Sequence, residues 1–108
     1  MKIGIDIVDI DDFDKRIRRS GQNLLDKLFT PSELINQQIT HLAGIFATKE
    51  CLIKIGIIPL GEWKQVEIRN DNSGKPFVFG QNGQIITNVE ISISHSPKSA
   101  VAVAILES

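Results

Sequence analysis

The sequence predicts an α+β fold, an antiparallel sheet packed against one long helix with short helices near the N-terminus. Three observations carry this. Lys2 to Ile10 alternates, with Ile3, Ile5 and Ile7 on one side. From about Thr40 to Ile55, Leu42, Ile45, Phe46, Leu52 and Ile53 recur at helical spacing. Near the C-terminus two further runs alternate: Val89, Ile91 and Ile93 with Glu90, Ser92 and Ser94, then Val101, Val103 and Ile105 with Ala100, Ala102 and Ala104.

In the opening strand Asp6 points to the side opposite the isoleucines, with Gly4 and Val8. A carboxylate in the middle of an apolar strand is costly without a partner, whether a cation, a helix amide or a salt bridge. Gly4 leaves room for a close approach beside it. Asp11 to Arg19 reads as a short helix: Phe13 and Ile17 share a face, acids gather at its start and Arg16, Arg18 and Arg19 at its end. Ser20-Gly21 stops it, and Leu24, Leu25 and Leu28 mark another helical turn or two. Thr30-Pro31-Ser32-Glu33 has the residues of a capping box and predicts a helix start. Gly56 and Pro59 end the long helix. Trp63 to Arg69 and Phe77 to Phe79 read as strands around a turn at Asn70 to Gly74, and Asn82-Gly83 is a turn signal. The closing two runs form a hairpin across His95 to Ser99. Its alanine side is smooth enough for close helix packing.

At 108 residues the chain predicts one domain, 1–108. A net charge of −1 gives no global basic field for nucleic acid. No apolar run approaches the ~20 residues of a membrane span, and the N-terminus lacks the pattern of a signal peptide. Cys51 is the single cysteine and reads as a small helix residue; a reducing compartment, the cytoplasm, fits. So small a chain can complete its core at a subunit contact, which predicts an oligomer.

The chemistry rests on Asp6 and Glu50, hard oxygen ligands on the first strand and the long helix, with Lys54 one turn beyond Glu50 on the same face. This set suits a divalent cation holding phosphates. Taken alone, Glu50 and Lys54 also read as a solvated surface pair. His95, between Ser94 and Ser96, could hold phosphate through hydroxyls and N–H groups, or simply sit in a polar turn. Lys75, between Gly74 and Pro76, lies on a turn. His41 and His95 are the only histidines, which excludes a multi-histidine zinc site. Carboxylates without thiolate or imidazole favour Mg²⁺, with Mn²⁺ possible.

Taken in order, Gly4-Ile5-Asp6, Leu28 to Leu34, Phe46-Ala47-Thr48-Lys49-Glu50-Cys51-Leu52-Ile53-Lys54, Asn72-Ser73-Gly74-Lys75-Pro76-Phe77 and Val89 to His95 resemble the short holo-acyl-carrier-protein synthase type of the phosphopantetheinyl transferases, over nearly the whole chain. The resemblance implies transfer of 4′-phosphopantetheine from coenzyme A to a serine of a carrier protein, releasing 3′,5′-ADP. It implies Mg²⁺ on Asp6 and Glu50, catalytic roles for Glu50 and Lys54, and coenzyme A contacts from Lys49, Lys54, Lys75, Pro76, His95 and Ser96. Glu50 or a metal-bound water would take the serine proton. It further implies a trimer with its active site at the subunit contact. The partner would be an acidic carrier protein, which Lys15, Arg16, Arg18 and Arg19, with Lys27, could steer.

Three positions depart from the family pattern. Asp12 stands where the family docks its carrier with an arginine. Gly44-Ile45-Phe46 lacks the family's central arginine near the nucleotide, and Gly56-Ile57-Ile58-Pro59 replaces a G-T-G loop. The connection from Glu33 to the long helix is also short. These changes spare the proposed metal ligands but bear on docking and coenzyme A affinity. They keep two other readings in play: a non-catalytic relative that binds coenzyme A or a carrier as an interaction module, and a plain structural domain.

Overall fold

Alternation in β1 (Lys2–Asp9) sorts its side chains between two environments: Gly4 and Val8 are buried, while Ile3, Ile5 and Ile7 stay 60–67% exposed. The inner face packs on α3 (Ile39–Lys54) so closely that a Cβ on Gly4 would stand 2.8 Å from the Cys51 carbonyl oxygen. β5 (Ser99–Leu106) pairs antiparallel with β1, and β4 (Val89–His95) pairs antiparallel with β5, giving the order β1-β5-β4. Ala100, Ala102 and Ala104 of the central strand are fully buried, as a closely packed helix requires. The computed structural model describes residues 1–107.

Between β1 and α3 run α1 (Ile10–Ser20) and α2 (Gln22–Leu28). Asp9 caps α1, its Oδ1 accepting from the Asp12 N–H at 2.9 Å, and Gly21 closes it at φ +67°, a conformation that favours glycine. Phe13 of α1 stacks on Phe46 of α3 with ring centroids 5.1 Å apart and meets the edge of Phe29 at 6.5 Å. These rings fix α1 against α3 and so fix one wall of the site below.

Two elements differ from expectation. The Thr30–Glu33 box forms, with Glu33 Oε1 accepting from the Thr30 N–H at 2.9 Å, yet it opens only a 3₁₀ turn, Glu33–Ile35. The carboxylate is drawn inward by Lys49 instead of lying along a helix. Trp63–Gln65 is a second 3₁₀ turn rather than strand, because Trp63 rotates onto Phe46 at 5.4 Å. β2 (Val66–Asn70) and β3 (Pro76–Gly80) then form a separate two-stranded sheet, so the fold carries two antiparallel sheets, not one. No helix among the described residues is long and apolar enough to cross a membrane.

Candidate active site

The register of the three-stranded sheet decides which side chains meet. Gly4, Asp6 and Val8 lie opposite Ala104, Ala102 and Ala100, and Ile93 and His95 lie opposite Ala102 and Ala100 from the other side. Residues directly opposite share a face. Asp6 therefore faces α3 beside Cα-close glycine and alanine, where a helix side chain can reach it. Lys54 does so: its Nζ lies 3.1 Å from Asp6 Oδ1 and donates to the Ile5 carbonyl at 2.7 Å.

Glu50 sits one turn before Lys54 and is half-buried. Burial pushes its carboxyl above the ordinary range, and the charge of Asp6 pushes the same way, against Lys54 and Arg16. Asp6, Glu50, Asp9, Asp12 and Arg16 line one cleft of about 270 Å³, floored by Phe13 and Phe46. The two acids distant in sequence thus converge. Crowded like charges of hard oxygen are what a divalent cation relieves, and Mg²⁺ commonly takes one or two carboxylates and fills its remaining positions with water and phosphate. No group of three or more His, Cys, Asp or Glu that could hold a metal occurs among the described residues. The donor set fits Mg²⁺ on Asp6 and Glu50 and does not fit a closed zinc site.

Pro76 and His95 lie elsewhere. They line a cavity of about 380 Å³ with His41, Ile45, Ile68 and Asn70. The two spaces flank α3, with Ile45 in one and Phe46 in the other. Lys75 turns outward to Glu90 at 3.4 Å and lies over the Phe77 ring. The Ser96 hydroxyl oxygen is held in the hairpin, accepting from the N–H groups of Lys98 and Ser99 at 3.2 and 3.1 Å. Ser96 shapes the turn that carries His95.

Lys49 corrects the sequence expectation of a coenzyme A contact. Its ammonium is fully buried, 2.6 Å from Glu33 Oε1 and 2.9 Å from the Leu28 carbonyl, and it lines neither space. Glu33 Oε2 in turn accepts from the Ile68 N–H at 2.8 Å, so the pair ties α2, the first 3₁₀ turn, α3 and β2 together. In the basic stretch of α1, Lys15 and Arg18 pair with Asp11 and Asp14 at 3.1 and 3.0 Å. Arg16 faces the carboxylate cleft, one turn beyond Asp12. Cys51 is buried, donates to the Ala102 carbonyl at 3.2 Å, and has its thiol pushed up to about 11, which makes it inert packing. His41 lay outside the sequence-derived site; its four-residue spacing from Ile45 is the signal that could have placed it.

The chain is similar to known proteins over nearly its whole length. The model of the 4′-phosphopantetheinyl transferase superfamily matches residues 2–106. Holo-[acyl-carrier-protein] synthase of Chlorobium chlorochromatii is 36% identical over 118 residues, covering 99% of this chain and 100% of the relative. That of Syntrophus aciditrophicus is 38% identical over 122 residues, covering 96% and 93%. Among solved structures, the Helicobacter pylori holo-[acyl-carrier-protein] synthase in complex with coenzyme A superposes with TM-score 0.85 at 26% identity, covering 98% of this chain and 100% of that one. The Bacillus anthracis holo-(acyl-carrier-protein) synthase in complex with CoA (3′,5′-ADP) superposes with TM-score 0.79 at 31% identity, covering 98% and 95%.

Proposed function

We propose, from the premise that this chain belongs to the 4′-phosphopantetheinyl transferase superfamily, that it transfers 4′-phosphopantetheine from coenzyme A to a serine hydroxyl of an apo acyl-carrier protein and releases 3′,5′-ADP. The observation that carries this reading is the meeting of Asp6 and Glu50 in one cleft, with Lys54 on Asp6. The serine oxygen forms a bond to the phosphorus that bears the pantetheine arm, and the bond from that phosphorus to the bridging oxygen breaks. The electron pair leaves with 3′,5′-ADP.

Asp6 and Glu50 would hold Mg²⁺, which supplies Lewis-acid charge and a template for the pyrophosphate. Lys54 lies beside them and offsets charge that grows on the leaving oxygen. Glu50, beside Asp6 in the cleft, is the candidate acceptor of the serine proton. The nucleophile belongs to the carrier. Arg16 at the rim of the cleft, with exposed Arg18 and Arg19, would draw its acidic surface.

A second copy of the chain completes the site in this reading. Ile3, Ile5 and Ile7 lie opposite Ile105, Val103 and Val101 and form one apolar outer face. A hollow of about 360 Å³ joins Ile5, Ile7 and Val101 of that face to Asp6 and Lys54. Burying this face against another copy stabilises the assembly and brings the neighbour to the edge of the Asp6–Lys54 pair. A trimer, working in the cytoplasm, is the arrangement proposed.

The test is incubation with coenzyme A, Mg²⁺ and several apo carrier proteins, followed by mass spectrometry. The carrier should gain the mass of the phosphopantetheine arm, and the gain should vanish in Glu50→Gln. Asp12 and Ile45 favour a second reading, a module that binds coenzyme A without turnover; coenzyme A binding with no gain on any carrier would support it.

A further inference from the structure

The chain has two histidines, His41 and His95, far apart in sequence, and both line the same cavity of about 380 Å³. Its floor is Ile45, Ile68 and Ile93, and its remaining polar lining consists of uncharged groups such as Asn36 and Asn70. No lysine, arginine or carboxylate among the described residues lines it. β4 closes directly on α3 here, since a Cβ on Gly44 would lie 3.0 Å from Ile93 Cγ2. A space of this size, apolar below and polar at the rim, suits a nucleoside.

We propose that His41, beside His95 in this cavity, is an anion contact that holds in its imidazolium form the 3′-phosphate on the ribose of coenzyme A. The inference rests on the coenzyme A reading above and assigns a residue, His41, and a proton that reading does not. His41 and Ile45 are four apart and share a face of α3. An imidazolium donates from both nitrogens and carries the charge that Ile45 lacks.

The surroundings leave that charge to His41. Toward His41, the first 3₁₀ turn offers Glu33, whose carboxylate is engaged by Lys49 at 2.6 Å and by the Ile68 N–H. β2 offers Ile68 and Asn70, and β4 offers Ile93 and His95. Gly74, before β3, and Pro76, its first residue, also line the cavity, while Lys75 turns away to Glu90. Burial lowers the His41 pKa, with Glu33 pulling the other way, so the empty pocket favours neutral imidazole. Phosphate then binds together with a proton. Affinity must rise as pH falls, because the complex holds more protons than the free protein.

Isothermal titration with coenzyme A and with 3′-dephospho-coenzyme A tests this without a carrier protein. From about pH 6 to about pH 8 the affinity for coenzyme A should fall, with a slope approaching tenfold per pH unit, that of one linked proton, while the dephospho form shows little change. His41→Phe and His41→Asn should each lower the affinity for coenzyme A toward that of the dephospho form and remove the pH dependence. Ile45→Arg added to His41→Phe should restore affinity without restoring the dependence. Tight coenzyme A binding that ignores pH and both His41 variants overturns this inference and leaves the proposed transfer standing. Failure of the unsubstituted protein to bind coenzyme A at all overturns both.

Discussion

Lys54 on α3 reaches across to β1 and holds Asp6 at 3.1 Å while donating to the Ile5 carbonyl at 2.7 Å. The contact is half-exposed, so as a surface ion pair it contributes no more than about 1 kcal/mol to stability. Its expected weight is in the reaction. Lys54→Met should lower turnover by roughly 10²-fold, the usual effect of removing one group that meets developing charge. Thermal unfolding and initial rates on the same preparation check this; a large fall in melting temperature with unchanged rate would make Lys54 a structural residue.

The Lys49–Glu33 pair should behave in the opposite way. Breaking a buried pair from one side leaves an uncompensated charge and costs about 3–5 kcal/mol. Lys49→Met should lose that much in urea unfolding, and Lys49→Met with Glu33→Gln should recover part of it. Under conditions where Lys49→Met remains folded, its coenzyme A affinity should match the unsubstituted protein.

Gly4 is set by space. An added Cβ would sit 2.8 Å from the Cys51 carbonyl oxygen and 3.1 Å from Ile55 Cγ2. Gly4→Ala must push α3 off β1, at about 1–3 kcal/mol by the cost of overpacking. Because Asp6 and Lys54 lie on the two elements being parted, activity at low temperature, where the variant is folded, should fall as well. Denaturant unfolding and rate measurements give the two numbers.

The outer face of β1 predicts an assembly. Ile5→Asp places a charge at the centre of that face and should convert the oligomer to monomer in sedimentation velocity. The monomer should be folded by circular dichroism and nearly inactive. A fully active monomer would show that each chain carries a whole site.

Acid should loosen the link between Thr30 and β2 at Glu67. Burial acts to raise its carboxyl, but the Thr30 hydroxyl donating at 2.5 Å and the contact with Arg69 outweigh it and hold the group below its ordinary value of 4.5. A depressed folded pKa contributes stability that is complete above the unfolded pKa and is lost as pH falls through the folded one. Glu67→Gln should therefore be less stable than the unsubstituted protein near neutrality, and the gap should shrink as pH drops below 4.5.

Much of this was legible in the chain because the signals were local. Alternation marks β1, β4 and β5; Gly21 and Gly56 end helices; the alanines of β5 announce a close helix. The family motifs point to Asp6 and Glu50, and both side chains line one cleft. What escaped depended on tertiary contacts. The capping residues at Thr30 and Glu33 formed their bonds, but Lys49 captured the carboxylate and left a single 3₁₀ turn. Lys49 sits beside Glu50 in sequence yet points roughly a quarter-turn away on the helix, which is enough to bury it. Arg16 read as one of several surface cations, and only the docking of Phe13 on Phe46 turns it to the cleft. His41 stands four residues before Ile45, but it comes to share a cavity with His95 only once β4 closes on α3.

The shared cation is tested most directly by a double-mutant cycle on the transfer rate as Mg²⁺ is titrated, using Asp6→Asn, Glu50→Gln and the pair. If both carboxylates hold one ion, each single change should raise the Mg²⁺ requirement and sharply slow transfer, and the double variant should be little worse than either. Additive losses at an unchanged Mg²⁺ requirement would contradict the account.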